Sequence, residues 1–214
     1  AGVSVALLEA GGNGDTWIVN TPAAVVLMVP MKVNNWAFET VPQPGLNGRR
    51  GYQPRGKVLG GSSAINAMAY IRGHRSDYDE WAALGNTGWA WDDVLPYFKK
   101  SEDNQSIRNE LHGQGGPLTV SDLRTDNPFQ QHFLKAAEQV GYPRNNDFNG
   151  PEQEGVGLYQ VTQRDGERCS AFKAYLQPYI GKRANLRVET GAQTRRVLFE
   201  GKRAVGVEYR QGGE

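Results

Sequence analysis

The chain has 214 residues and a mass of 23.6 kDa, room for one to two domains at about 150 residues each. Apolar residues make up 38% of it, enough to bury a core and to exclude wholesale disorder. With 24 basic against 23 acidic residues the formal net charge is +1, which gives no electrostatic footprint for nucleic acid or an anionic membrane surface.

Residues Val3 to Leu8 form a continuous apolar run that Glu9-Ala-Gly-Gly12 stops. A short apolar run ending in an acid and a glycine turn predicts a buried parallel strand. In dinucleotide-binding βαβ units an acid at the end of the second strand accepts hydrogen bonds from the adenosine ribose, roughly 20 residues after a glycine-rich phosphate loop. Glu9 fits that role and puts the loop before residue 1. With no initiator Met, the expectation is a piece of a longer protein. A Glu that merely ends a strand is the competing reading, and Glu9 alone leaves both open.

From 13 to 56 the chain is rich in Gly, Pro and Asn, as in Pro42-Gln-Pro-Gly45 and Asn47-Gly48-Arg49-Arg50. A stretch of this length without clear elements is unusual unless it binds something. Its apolar part, Pro22 to Met31, is about half the roughly 20 residues a membrane helix needs and carries two prolines, so no transmembrane segment is predicted. Then comes Arg55 to Tyr70, glycine-rich in its first half. Its second half is small and apolar enough to predict a closely packed helix. The 27 glycines of the chain exceed the usual ~7% and point to tight turns and close backbone approaches.

Helices are predicted from 76 onward. Asp92 to Lys100 begins acidic and ends basic, as the helix dipole favours. Asn127 caps a helix from Pro128 to Val140, and Gly141 ends it. Ser170 to Tyr179 predicts a third, shorter helix. Leu186–Glu189, Thr194–Phe199 and Ala204–Tyr209 read as strands, the last two joined as a hairpin through Glu200-Gly-Lys-Arg203. The single cysteine, Cys169, excludes an internal disulfide and has no CxxC partner, which predicts a buried, inert thiol in a reducing compartment. His74 lies in a polar loop, His112 beside a glycine turn and His132 among Gln and Lys. Each reads as structural or solvated, as do the basic pairs Arg49-Arg50, Lys99-Lys100 and Arg195-Arg196.

The segment Gly56 to Gly73 decides the class. Gly60 and Gly61, lacking Cβ, let successive backbone N–H groups approach a planar anionic ligand. Ser62, Ser63, Ala64 and Ala67 keep the following chain close to it, and Asn66 can donate and accept at a heteroaromatic edge. The segment, followed by Asp77, resembles the first signature of the glucose–methanol–choline (GMC) oxidoreductases, which are FAD-dependent alcohol oxidases and dehydrogenases. Leu8–Gly12, Ser76–Trp81, Trp91–Phe98, His112–Leu118, Arg168–Leu176 and Asn185–Val188 resemble further motifs of the family, in its order. The resemblance covers essentially the whole chain, and Ile71 to Trp81 looks most like the choline and aliphatic-alcohol dehydrogenase branch.

The resemblance implies an α/β fold. A Rossmann-like FAD-binding domain, lacking its N-terminal phosphate loop, would comprise residues 1–75 and 165–214. The start of an α+β substrate domain with an antiparallel sheet would comprise 76–164. It further implies flavin contacts at Val58, Asn66, Ala67, Met68 and Ala69, largely through backbone atoms, with Glu9 at the ribose. Thr194, where relatives often have Val, would set its main chain beside the adenine. Arg55, Gly56, Gly60, Gly61 and Ser62 would complete the lining. FAD would be held non-covalently, because Ile65 stands where some relatives carry a tethering histidine.

The implied reaction is oxidation of a small-molecule alcohol, choline or a primary alcohol, by hydride transfer to flavin. The electron acceptor is left open between oxygen and a quinone, and the expected location is cytoplasmic, with a peripheral inner-membrane association of the full-length protein as the alternative. The family's catalytic histidine belongs to a C-terminal motif that no segment here resembles. No catalytic residue or metal ligand is therefore assigned, and the 214 residues alone are expected to be inactive. A non-catalytic nucleotide-binding or interaction module of the same fold is the competing reading. An NAD-dependent dehydrogenase would rest on Glu9 alone.

Overall fold

A computed structural model of the chain describes residues 2–125 and 127–212. It divides into two units, one built from the chain up to Ala67 and again from Glu167 onward, the other from Met68 to Gly166. The first crossing thus falls inside the Gly56 to Gly73 segment. Unit 1 begins with β1 (Val5–Leu8), α1 (Trp17–Asn20), α2 (Val25–Met28), β2 (Phe38–Glu39) and β3 (Tyr52–Gln53). Unit 2 holds α3 (Arg75–Ala83), α4 (Trp91–Ser101), β4 (Glu102–Asn104), β5 (Leu118–Val120), α5 (Pro128–Gln139) and β6 (Gln163–Arg164). The chain re-enters unit 1 with β7 (Glu167–Arg168), a π-helical turn at Phe172–Leu176, β8 (Leu186–Glu189), β9 (Gln193–Glu200) and β10 (Arg203–Arg210).

In unit 1, β1 pairs in parallel with β8, from Val5 opposite Leu186 to Leu8 opposite Glu189. The parallel pairing agrees with the apolar run, but the expected burial does not hold. Val5 is 50% exposed while Leu7 and Leu8 are half-buried, because a sheet of two strands offers the faces of its side chains little to pack against. The apolar stretch from Pro22 forms a 3-10 turn, Pro22–Ala24, that runs into α2. It packs Ala24 and Met28, with Val19 of α1, against Val58, Ala64 and Ile65 of the glycine-rich segment. Each large side chain removed from water here is worth about 1.5–3 kcal/mol. The Asn-rich region is held by Asn35, whose buried amide donates to the carbonyls of Met28, Val29 and Met31. Its oxygen accepts from the N–H groups of Ala37 and Arg55. Both faces of the amide are satisfied, so burying it is tolerated, and Arg55 is fixed in place.

The second half of Arg55 to Tyr70 departs from expectation: it is not an α-helix. A 3-10 turn covers Gly61–Ala64. The serine hydroxyls turn back on the backbone, Ser62 accepting from the Gly56 N–H at 3.1 Å and Ser63 donating to the Gly60 carbonyl at 2.5 Å. Such local bonds compete with a helical ladder. Ser170 to Tyr179 likewise yields a π-helical turn of five residues rather than a regular helix. The hairpin β9–β10 is antiparallel, as read from the sequence, with register shifts near Ala204 and Glu208.

In unit 2, Tyr78 of α3 meets Trp81 of the same helix edge-on and, on α4, Phe98 edge-on and Trp91 at a tilt. The helix α4 carries Asp92 and Asp93 in its first turn and Lys99 and Lys100 in its last. Asn127 caps α5 by accepting from the Phe129 N–H at 3.0 Å, and Gly141 follows with φ of 98°. The antiparallel sheet expected of this unit is reduced to single bridges, Ala69 with Val161 and Ser121 with Val161. Its ladder, β4 with β5, is parallel, because the long loop from 105 to 117 lets the chain re-enter in the same direction.

Candidate functional site

β1 runs into Glu9, whose N–H donates to the Glu189 carbonyl and whose carbonyl accepts from Ala192, each at 2.9 Å. The Glu9 carboxylate accepts from the Gly11 N–H through Oε1 at 2.7 Å, while Oε2 makes no hydrogen bond among the described residues. Gly11 then passes the glycine-rich segment so closely that a Cβ there would lie 1.8 Å from the Lys57 carbonyl oxygen. Gly12 bridges to Val58, and the Leu59 N–H donates to the Gly12 carbonyl at 3.0 Å. The strand end and the glycine-rich segment, far apart in sequence, are brought together here. Thr194 lies on β9, two residues beyond Ala192, exposed and opposite Tyr209.

Val58 is fully buried in the unit 1 core, so any ligand there would meet its main chain. Gly60, at φ of 98°, gives its missing Cβ to Phe172, 3.1 Å away, whereas Gly61, at φ of 56°, faces open space. The first glycine therefore serves packing, and the second serves its left-handed backbone conformation. Arg55, Ser62, Ile65 and Asn66 line one cleft of about 280 Å³ with Val29 and Pro54. The N–H of Gly56 is tied to Ser62 at its rim. Ala67, exposed, ends unit 1. Met68 and Ala69 open unit 2, where the Met68 carbonyl accepts from the Thr162 N–H at 2.9 Å and Ala69 bridges to Val161.

Arg168, which the sequence offered only as the first letter of a motif, is bonded to Asn66 of this cleft. It is 1% exposed. Its Nε donates to the Val19 carbonyl at 3.0 Å, and its Nη1 donates to the Ser63 carbonyl at 3.2 Å, the Asn66 carbonyl at 2.7 Å and Asn66 Oδ1 at 3.0 Å. All of these acceptors are neutral, and the buried Nη2 finds none. Burial pushes the pKa of Arg168 down to about 10, still above neutrality, so the group stays charged. The signal available in advance was a cation set directly before the small, apolar Cys169-Ser170-Ala171-Phe172.

Unit 2 buries a different polar cluster, which the sequence reading missed because its members are scattered from 72 to 160. Glu102 receives Arg72 Nη2 at 2.7 Å, His112 Nδ1 at 2.8 Å and the Gly113 N–H at 2.8 Å. His112 Nε2 reaches Asp147 at 3.0 Å, and Asn104 links Glu102 to Gln160. Burial works against the charged imidazolium, yet the hydrogen bonds to Asp147 and Glu102, and their charges, raise the His112 pKa to about 9. Burial likewise opposes the Glu102 carboxylate, but His112, the Gly113 N–H, Asn104 and Arg72 hold its pKa below the ordinary value. Asp147 is held low in the same way, by His112, the Asn149 N–H and Arg72. His112 is thus protonated at neutral pH and cannot accept a proton as a general base. His74 caps α3, its Nδ1 accepting from the Ser76 N–H at 3.2 Å; His132 is exposed on α5. No cluster of His, Cys, Asp and Glu among the described residues could hold a metal ion.

The family profile of the GMC oxidoreductases matches residues 5–214. Among similar proteins, the alcohol dehydrogenase (acceptor) of Pseudomonas putida is 47% identical over 208 residues, 97% of this chain and 38% of its own length. The mitochondrial choline dehydrogenase of Mus musculus is 46% identical over 217 residues, 98% of this chain and 36% of its own. Of solved structures, pyridoxine 4-oxidase from Mesorbium loti superposes with a TM-score of 0.90 at 34% identity, covering 98% of this chain and 41% of that one. An FAD-dependent oxidoreductase from Chaetomium thermophilum gives 0.88 at 31% identity, covering 98% and 38%. The chain spans about two fifths of the length of these relatives. With its glycine-rich segment joined to the end of β1 and its motifs matched from residue 5 onward, the chain belongs to the GMC oxidoreductase family.

Proposed function

We propose that this chain forms the cofactor wall, and the start of the substrate unit, of a flavoenzyme that oxidises an alcohol at its CH–OH carbon. Choline or a primary alcohol is the substrate class. The observation that carries this reading is the meeting of Glu9 with the glycine-rich segment through the Gly12–Val58 bridge. The fit to FAD is supported by the unengaged Oε2 of Glu9, the open space at Gly61 and the largely apolar cleft that Ser62 and Asn66 help to line. Glu9 would accept hydrogen bonds from the adenosine ribose, and the main chain at Thr194 would flank the adenine. Arg55, Gly56, Gly60, Gly61 and Ser62 would shape the wall, with Val58, Asn66 and Ala67 contributing mainly backbone atoms. Met68 and Ala69, the first residues of unit 2, rest on the resemblance alone. Bound FAD supplies the hydride acceptor.

Ile65 is buried and apolar and offers no nucleophilic atom, so FAD would be held non-covalently. The hydroxyl proton needs a base, and none of the three histidines suits: His112 already holds its proton, His74 is occupied as a cap, and His132 sits on an exposed helix face. The 214 residues alone are accordingly expected to give no turnover, whereas the full-length protein should. No described helix is long and apolar enough to cross a membrane. Oxygen or a quinone is the proposed electron acceptor, to be distinguished by consumption assays.

The test is anaerobic mixing of the full-length protein with choline or a primary alcohol. Bleaching of the flavin band, with yellow colour left in the supernatant after acid precipitation, is the expected result. Flavin that stays with the pellet overturns the non-covalent assignment. A protein that binds FAD yet is bleached by no alcohol would instead be a non-catalytic nucleotide-binding module.

A further inference from the structure

We propose that Arg168 is a positioning residue for the cofactor cleft: it locks the Ser63–Asn66 turn and keeps an unneutralised positive charge against the wall along which the flavin lies. The inference rests on the flavin reading above. Buried charges are ordinarily matched by an opposite charge. Arg168 has no such match among the described residues. It is held by carbonyl oxygens of Val19, Ser63 and Asn66, and its Nη2 has no acceptor. A buried cation that serves no ion pair calls for another use.

The geometry supplies one. Asn66 lines the cleft, and a guanidinium has no acceptor, so the Asn66 atom that faces it must be Oδ1. Arg168 therefore fixes the orientation of that amide as well as the carbonyls on either side of the turn. The next stretch of chain adds a second tie, the Ala171 N–H donating to Ser63 Oγ at 2.8 Å. A cation held in a poorly solvated site acts over a longer reach than one in water. Reduced flavin carries more negative charge than oxidised flavin, so the guanidinium favours the reduced form.

The experiment uses the full-length holoenzyme with Arg168→Met and Arg168→Lys, reading the FAD dissociation constant and the midpoint potential of the bound flavin. Arg168→Met should weaken FAD binding about tenfold, for loss of hydrogen bonds from a charged group, and shift the potential to a more negative value. Arg168→Lys keeps the charge but not the multi-point fork; its potential should stay near wild type while FAD binding weakens. A folded Arg168→Met protein with lowered melting temperature but unchanged FAD affinity and potential overturns the proposal and leaves Arg168 structural. Should Arg168→Met fail to fold, unchanged FAD affinity in Arg168→Lys overturns it equally. A wild-type protein that takes up no FAD sinks the flavin reading, and this inference with it.

Discussion

Each unit buries an arginine, and the two solve the problem in opposite ways. In unit 2, Arg72 meets Glu102, which also meets His112, which meets Asp147, so every charge faces one of opposite sign. In unit 1, Arg168 faces carbonyl oxygens and no carboxylate among the described residues; each arginine leaves one nitrogen without an acceptor, Nε of Arg72 and Nη2 of Arg168. The closed cluster ties together loops that have little regular structure between them, since β4 and β5 are three residues each. The Arg168 guanidinium is bonded to Asn66, which lines the candidate cleft. The contrast separates a buried charge answered by opposite charges from one held by neutral carbonyls next to the candidate site.

The contrast breaks most sharply at Glu102. Its replacement by Gln leaves Arg72 and His112 as buried cations sharing a neutral amide, and should cost about 3–5 kcal/mol, read from urea unfolding at pH 7. A loss below one kcal/mol would mean the cluster contributes no more than surface pairs do.

A smaller loss should follow from pH, since every partner remains in place. His112 has its folded pKa raised from 6.5 to about 9, so its contribution is complete below pH 6.5 and disappears as pH rises through about 9. Glu102 and Asp147 are lowered from 4.5 and 3.8, so their contributions are complete above those values and are lost as pH falls below them. Thermal melting should therefore show a plateau from about pH 4.5 to 6.5 with a decline on both sides. The alkaline decline should vanish in His112→Gln; its persistence there would assign it to another group.

Arg168→Met should cost less stability than Glu102→Gln, about 1–3 kcal/mol, because it strips hydrogen bonds from carbonyls without stranding an opposite charge. Equal losses for the two variants would erase the distinction between the closed and the open arrangement. Two reference changes outside both clusters set the scale. Asn127→Ala removes the cap of α5 and should cost about 1 kcal/mol. Arg196→Ala breaks the exposed pair with Glu208 on the β9–β10 hairpin and should change unfolding by about 0.5 kcal/mol or less.

What the sequence determined was local. The cap and stop of α5 at Asn127 and Gly141, the charge gradient of α4 and the hairpin turn before Arg203 each depend on neighbours within a few residues, and each stands where it was read. The glycine-rich segment and the ordered motifs were also legible, and the family match follows them. Two local readings failed, one to side-chain bonding and one to the size of a sheet. The small residues after Gly61 form a 3-10 turn because Ser62 and Ser63 bond the backbone, and β1 is only half-buried because its sheet has two strands. Tertiary structure alone decided which distant groups meet: Glu9 with Lys57 and Val58 by way of Gly11 and Gly12, Arg168 with Asn66, and His112 with both Glu102 and Asp147. Spacing along the chain encodes a helix face or a turn, but a contact across a hundred residues depends on the whole core that brings them together, and so does the protonation state of a histidine caught between two carboxylates.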